Sequence, residues 1–354
     1  MGRKMSRLSD EIHEQPEVLA RLLDEQAGTA AQIAAAIRAR DVRYAVIAAR
    51  GTSDNAARYA QYLFGGLNRL PVALATPSLF GIYRTPPRLR DALVLGVSQS
   101  GQSPDIVAVV EEGRRQGALT IAVTNAPVSP LAQAADHVLP LGVGEERAVA
   151  ATKTYTAQLA ALALLAVQLA GDDEREERLD ELRSVPAAVE KTLALEGAVA
   201  LAAQRYTYAT ECVVLGRGYN YATAFEIALK LKELTYIVAE PYSSADFRHG
   251  PVAIVERGFP AIVVAPQGAV YPDVLALARE LAAPGKAAEL IVISGQDEAL
   301  RLARTPLRLP VALPEWLSPF TCVVPGQLLA LHVTRAKGYD PDHPRGLKKV
   351  TETQ

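Results

Sequence analysis

The feature that most constrains this 354-residue chain is an alternation of short β-branched apolar runs with helical stretches, written twice. In the first series, Tyr44 to Ala49 leads through Arg50-Gly51-Thr52-Ser53 into a helix expected from about Asp54 to Phe64. Ala92 to Val97 leads through Ser98-Gln99-Ser100-Gly101-Gln102-Ser103 into a helix over Pro104 to Arg115, and Leu119 to Val123 and His137 to Leu141 add two strands. In the second, Cys212 to Leu215 leads through Gly216-Arg217-Gly218 into a long helix from about Tyr221 to Ile237. A strand over Phe259 to Ala265, a helix over Pro272 to Leu281 and a strand over Leu290 to Ser294 follow. Strands alternating with helices of this length imply βαβ units and a parallel sheet. The unbroken apolar run Ala92 to Val97 fits a central strand buried on both faces. Arg50-Gly51 aligns with Arg217-Gly218 at an offset of 167 residues, and Pro104-Asp105 with Pro272-Asp273 at 168. An offset this constant predicts a duplicated α/β domain. Length agrees, since about 150 residues per domain predicts two.

The resulting division is an N-terminal helical segment (1–40), a first domain (41–170), a helical linker (171–204), a second domain (205–335) and a C-terminal tail (336–354). Within the linker, the charged stretch Gly171 to Arg183 reads as a solvated turn, followed by a helix around Pro186 to Gln204. With 37 basic and 39 acidic residues the formal charge is −2, which gives nucleic acid no electrostatic footprint. The N-terminus lacks the apolar core of a signal peptide. Leu159 to Ala170 is too short to span a bilayer, so no membrane partner is expected. The two cysteines, Cys212 and Cys322, form neither a C-x-x-C pair nor a disulfide framework, which suits a reducing cytoplasm. The five histidines (13, 137, 249, 332, 343) show no metal-ligand spacing. Gly216-Arg217-Gly218 lacks the third glycine of a dinucleotide fingerprint. Neither a metal nor a cofactor is expected.

Ligands of open parallel sheets bind beyond the carboxyl ends of the strands. There the first domain places Thr52 and Ser53 in one loop, and Ser98, Ser100 and Ser103 in the next, with Gln99 between. A helix N-terminus with added hydroxyl donors suits a phosphate dianion without any arginine. Ser53 and Ser103 can equally serve as helix N-caps, and Pro104 at the first helical position supports that for Ser103. The second domain's counterpart, Ala265-Pro266-Gln267-Gly268-Ala269-Val270, has no hydroxyls, so one phosphate site per chain is expected, in the first domain.

Glu226, Lys230 and Glu233 share one face of the predicted helix Thr223 to Ile237, because positions 226 and 230 lie about 40° apart and 233 about 20° to the other side of 226. From spacing alone, an i,i+4 ion pair on a solvated face is the simpler reading. His249 stands in a Gly/Pro loop, where a histidine is either a surface residue or a proton-transfer group working near neutral pH. Lys348 and Lys349 stand near the C-terminus, in a chain with 28 arginines and only nine lysines.

Taken in order, EIHEQPEVL at 11–19, GTS at 51–53, SQSGQS at 98–103, VAATK at 149–153, LGRG at 215–218, ALKLKEL at 228–234, RHGP at 248–251 and DPDHPRGLKK at 340–349 resemble the isomerase half of glucosamine-6-phosphate synthase. More broadly, they resemble proteins with two sugar-isomerase (SIS) domains. The resemblance runs over nearly the whole chain. It implies two tandem SIS domains, each a flavodoxin-like parallel sheet flanked by helices, and fructose 6-phosphate or glucosamine 6-phosphate as the ligand class. It further implies that Gly51, Thr52, Ser53, Ser98, Gln99, Ser100, Ser103 and Val149 hold the phosphosugar. Glu233 would move a proton between C1 and C2 with Lys230 beside it, and Lys349 would form a Schiff base at C2. His249 would open the ring in the neighbouring subunit's site, which implies a homodimer. The Schiff-base role needs a primary amine, which arginine cannot supply.

Two departures from the synthase pattern matter. Ala151 stands where the synthase has a serine, which removes one hydroxyl contact. Residue 2 is Gly2 rather than a glutaminase's N-terminal cysteine, so no glutamine hydrolysis is expected. The expected activity is therefore a phosphosugar isomerase/deaminase converting glucosamine 6-phosphate and water reversibly to fructose 6-phosphate and ammonia. An isomerase or deglycase on another 6-phosphosugar or fructosamine 6-phosphate is the alternative within this class. A non-catalytic sugar-phosphate sensor is the alternative outside it.

Overall fold

The computed structural model describes residues 6–349. Helices α1 (Arg7–His13), α2 (Gln15–Glu25) and α3 (Ala27–Arg38) open the chain. The first series runs β1 (Tyr44–Ala48), α4 (Gly51–Asn68), β2 (Val72–Leu74), α5 (Ser78–Gly81), β3 (Ala92–Ser98), α6 (Pro104–Arg115), β4 (Leu119–Thr124), α7 (Pro130–Ala134), β5 (His137–Pro140) and α8 (Lys153–Leu169). Helices α9 (Asp172–Arg183), α10 (Val185–Leu193) and α11 (Glu196–Ala203) follow. The second series runs β6 (Glu211–Gly216), α12 (Asn220–Thr235), β7 (Val238–Ser243), α13 (Ser244–Arg248), β8 (Pro260–Val264), α14 (Tyr271–Ala282), β9 (Glu289–Ser294), α15 (Asp297–Leu300), β10 (Thr305–Arg308) and α16 (Ser318–Ala336).

The chain divides into two compact units. One comprises residues 17–146, 153–183 and 348–349, the other residues 6–16, 147–152 and 184–347. Each contains one five-stranded parallel sheet, ordered β2-β1-β3-β4-β5 in the first and β7-β6-β8-β9-β10 in the second. Strand for strand, this is the same flavodoxin-like order, as the constant sequence offset predicts. The duplication extends to a fifth helix. α8 packs on α4, and α16 packs on α12. Both α8 and α16 are apolar nearly all round and buried along almost their whole length, which is the condition for a core helix. The central strands β3 and β4 are buried at every position, each large apolar side chain contributing about 2 kcal/mol of transfer free energy.

Several elements differ from the sequence reading. α4 starts at Gly51, whose φ of +53° turns the chain out of β1; Gly218, its counterpart after β6, has φ +61°. The charged stretch after Gly171 is not a turn but the solvent-facing helix α9, supported by i,i+4 pairs such as Arg178–Glu174 at 2.7 Å. The single helix expected over Pro186 to Gln204 is two, α10 and α11. Three strands escaped the sequence pattern because they lie at sheet edges. β2 has only three residues, and β7 and β10 contain Pro241 and Pro306, which an edge strand tolerates. Among the described residues one span, Glu315–Ala336, has the length and apolarity to cross a membrane, and its apolar stretch is buried.

Candidate functional site

In the first unit, the loops after β1 and β3 are tied together by an ion pair from Arg50 Nε to Asp105 Oδ2 at 2.8 Å, the Asp105 side chain being only 2% exposed. Because α4 begins at Gly51, Ser53 is not the N-cap expected from sequence. It lies buried in the first helical turn, where its Oγ accepts a hydrogen bond from Gln158 Nε2 at 2.8 Å, and Thr52 beside it is half-buried. In the second loop, Ser98 Oγ accepts from the Gly101 N–H at 3.1 Å, and Ser100 Oγ accepts from the Gln102 N–H at 3.3 Å. The Gln99 carbonyl accepts from the Asn125 N–H at 3.2 Å and the Thr124 hydroxyl at 3.3 Å. Each serine hydroxyl that accepts in this way still has its own O–H to donate. Ser103 does occupy the N-cap position of α6, but its side chain makes no capping bond. The loop is thus folded by its own hydroxyls at the positive end of a twelve-residue helix, which suits it to receive an anion.

The same unit holds Lys349. Its Nζ donates to Glu146 Oε2 at 2.8 Å, and the Glu146 side chain is fully buried. Glu146 Oε1 accepts from the Thr154 N–H at 3.0 Å, and Lys153 Nζ donates to the Glu145 carbonyl at 2.7 Å. Sequence reasoning missed Glu146. The only available signal was a pair of adjacent glutamates just before the 149–153 motif.

In the second unit, the solvated-face reading of Glu226 and Lys230 fails. Lys230 is 1% exposed and Glu226 is 0% exposed. Lys230 Nζ lies 2.5 Å from Glu233 Oε2 and 3.5 Å from Glu226 Oε1, so one ammonium is shared by two carboxylates. Glu233, nearer the end of α12, is partly exposed. Of the three, Glu233 is the carboxylate that a ligand could reach from solvent. Val149 is half-buried in the segment 147–152, whose backbone is held by α1: the Glu11 carboxylate accepts the N–H groups of Arg147 and Ala148, the latter at 3.2 Å. His249 is exposed, at the C-terminal cap of α13.

The second unit also contains the counterpart of the hydroxyl-rich loop. There the Glu315 carboxylate occupies the equivalent seat, accepting the Ala269 N–H at 2.8 Å and the Val270 N–H at 3.3 Å. The tie between loops is kept, with Arg217 2.7 Å from Asp273. Burial pushes the Asp273 carboxyl up, but hydrogen bonds from Ser244 and Arg217 and the charges of Arg217 and Arg248 together outweigh it. The group sits below its ordinary value.

Two like sheets, one with an anion-receptive loop and one with that loop already filled, define a duplicated, doubly wound α/β protein. The chain belongs to the SIS domain family, whose profile matches residues 40–168 and 207–336. The glutamine–fructose-6-phosphate aminotransferase (isomerizing) of Thermus thermophilus is 38% identical over 349 residues, which cover 96% of this chain and 57% of that protein. The chain therefore spans little more than half the length of that relative. The crystal structure of a Silicibacter pomeroyi protein assigned as a phosphosugar isomerase shares 36% identity and a TM-score of 0.83, covering 95% of this chain and 100% of that one. The glucosamine-6-phosphate deaminase of Thermotoga maritima has a TM-score of 0.77 at 21% identity, covering 98% and 100%, a likeness of fold.

Proposed function

We propose that this chain is a cytoplasmic phosphosugar isomerase working as a deaminase, converting glucosamine 6-phosphate and water to fructose 6-phosphate and ammonia, reversibly. The 6-phosphate binds the loop Ser98–Ser103, with Gly51, Thr52, Ser53, Gln99 and Val149 completing the sugar's contacts. His249 of a second copy opens the ring. Glu233, with Lys230 beside it, removes the C2 proton and returns it to C1 while the amine gives a proton to O1, which leaves an iminium at C2. Lys349 adds to that carbon, ammonia leaves, and water hydrolyses the lysine imine to release the ketose. For attack the Lys349 ammonium must first lose a proton, and Glu146 at 2.8 Å is its carboxylate partner.

The observation that carries this reading is the row Glu226–Lys230–Glu233, with Glu226 and Lys230 buried and Glu233 partly open to solvent. Burying two charges in a helix interior is expensive, and a protein that only bound sugar phosphate would have no use for it. Ala151, in place of the family serine, favours a second reading, an isomerase or deglycase on a related 6-phosphosugar. Purified protein incubated with glucosamine 6-phosphate decides between them. Equimolar ammonia and fructose 6-phosphate are expected, with kcat falling about 10³-fold in Glu233→Gln. Turnover of another 6-phosphosugar without ammonia release rejects the deaminase.

A further inference from the structure

α12 ends on Tyr236, in the left-handed region at φ 59°. A helix C-terminus of this shape is the natural place for glycine, and a bulky aromatic there is strained unless its side chain is needed. Three contacts use it. The Tyr236 hydroxyl accepts the backbone N–H of Arg345 at 2.8 Å. The Arg345 guanidinium carbon stands 3.7 Å above the centre of the Tyr236 ring. The same guanidinium is 5.5 Å from the Tyr339 ring, which packs on Tyr236 at 5.0 Å between centroids. A second anchor lies three residues upstream. The Asp342 carboxylate accepts the free N–H groups of Arg7 and Leu8 at the start of α1, at 3.0 and 3.1 Å. The tail is thus pinned twice before it reaches Lys349, four residues beyond Arg345. One of the pins is the residue that caps the helix carrying Lys230 and Glu233.

We propose that Tyr236 and Arg345 are positioning residues: the strained tyrosine cap of α12 clamps the C-terminal tail and thereby fixes the approach of Lys349 to the substrate carbonyl. This rests on the role of Lys349 proposed above. The clamp spends backbone strain and an exposed arginine on holding a segment with little burial of its own, since residues 345–348 are exposed. Without it the segment between Asp342 and Lys349 would be held only at its two ends, by Asp342 on α1 and by the Lys349–Glu146 pair, and would loosen between them. The lysine would then reach its target only as often as the loose tail happened to align.

The test compares wild type with Arg345→Ala, whose exposed site tolerates truncation, and with Tyr236→Phe, which keeps the ring and loses the hydroxyl. Three quantities are read: hydrogen exchange of the 340–349 amides, borohydride trapping of Lys349 with fructose 6-phosphate, and kcat against KM. Arg345→Ala is expected to speed tail exchange and to lower trapping and kcat about fivefold, with KM and exchange in α12 unchanged. Tyr236→Phe should fall between, and Arg345→Lys should restore part of the loss. Unchanged tail exchange in Arg345→Ala overturns the clamp. Faster exchange with unaltered trapping and kcat overturns its positioning role. Absence of any Lys349 adduct in wild type defeats the imine reading instead, while tail exchange still decides the clamp.

Discussion

The loop after β3 and the loop after β8 occupy the same place in two copies of one fold, and they hold opposite contents. Both follow a central strand, both place a glycine in the bend (Gly101 and Gly268), and both lead into a helix whose first turn carries an aspartate bound to an arginine of the neighbouring loop. The first loop is furnished with hydroxyls. The second has none, and the protein's own Glu315 carboxylate rests on its backbone amides. The backbone that a doubly wound sheet creates at this position is therefore anion-seeking by geometry. On the proposed reading, side chains decide whether the anion comes from outside or from the chain itself.

Substitutions at matched positions can break that comparison. The largest difference is expected from removing hydroxyls. Ser100→Ala with Ser103→Ala should weaken fructose 6-phosphate binding about 100-fold, near tenfold for each hydrogen bond to a charged group, by calorimetry. Gln267→Ala, at the position matching Ser100, should leave the affinity unchanged. Equal losses in the two loops would mean that the filled loop also serves the ligand.

Glycine replacement comes next. Gly101 has φ +62°, and a Cβ there would overlap the buried Ser129 side chain that caps α7, so Gly101→Ala should cost about 3 kcal/mol in denaturant unfolding. A Cβ at Gly268, where φ is +158°, would overlap Cγ, Cδ and Oε1 of Glu315, so that side chain must swing aside and give up its two hydrogen bonds, and Gly268→Ala should cost about 1.5 kcal/mol.

The arginine ties give the smallest effects. Arg50→Ala strands the buried Asp105 carboxylate and should cost about 2 kcal/mol, reduced from a fully buried pair because Arg50 is itself half exposed. Arg217→Ala leaves Asp273 with Arg248 at 3.0 Å and should cost under about 1 kcal/mol. Because the folded Asp273 carboxyl lies below its ordinary 3.8, its stabilisation is full above that pH and is lost as pH falls through the lowered value. The gap between wild type and Arg217→Ala should therefore close on acidification below about pH 4 and stay constant above pH 5. A gap that widened in acid would reverse the sign assigned to the pair.

The architecture was legible where burial on both faces makes a strand continuously apolar, as in Ala92 to Val97, and where a landmark dipeptide recurs at a fixed offset. At the edges only β5 was legible, as His137 to Leu141; Val72–Leu74 is too short to show a period, and Pro241 and Pro306 disguise the other two strands. In the candidate site, Ser98 to Ser103 stood out because hydroxyls clustered where a strand enters a helix. Glu226, Lys230 and Glu233 have a spacing common to a solvated ion pair and a buried one, and only tertiary packing distinguishes the two. Glu146 and Glu315 were invisible for a different reason. Each meets its partner across a long sequence separation, 203 residues in the case of Lys349, and no local pattern records such a pairing.

One measurement tests the central claim most directly, namely that the duplicated fold receives a single phosphosugar, at the hydroxyl-rich loop. Titration calorimetry of the wild-type chain with fructose 6-phosphate should give one ligand per chain, bound about 100-fold more weakly in Ser100→Ala/Ser103→Ala. Two ligands per chain, or one whose affinity is unchanged by that double substitution, would contradict it.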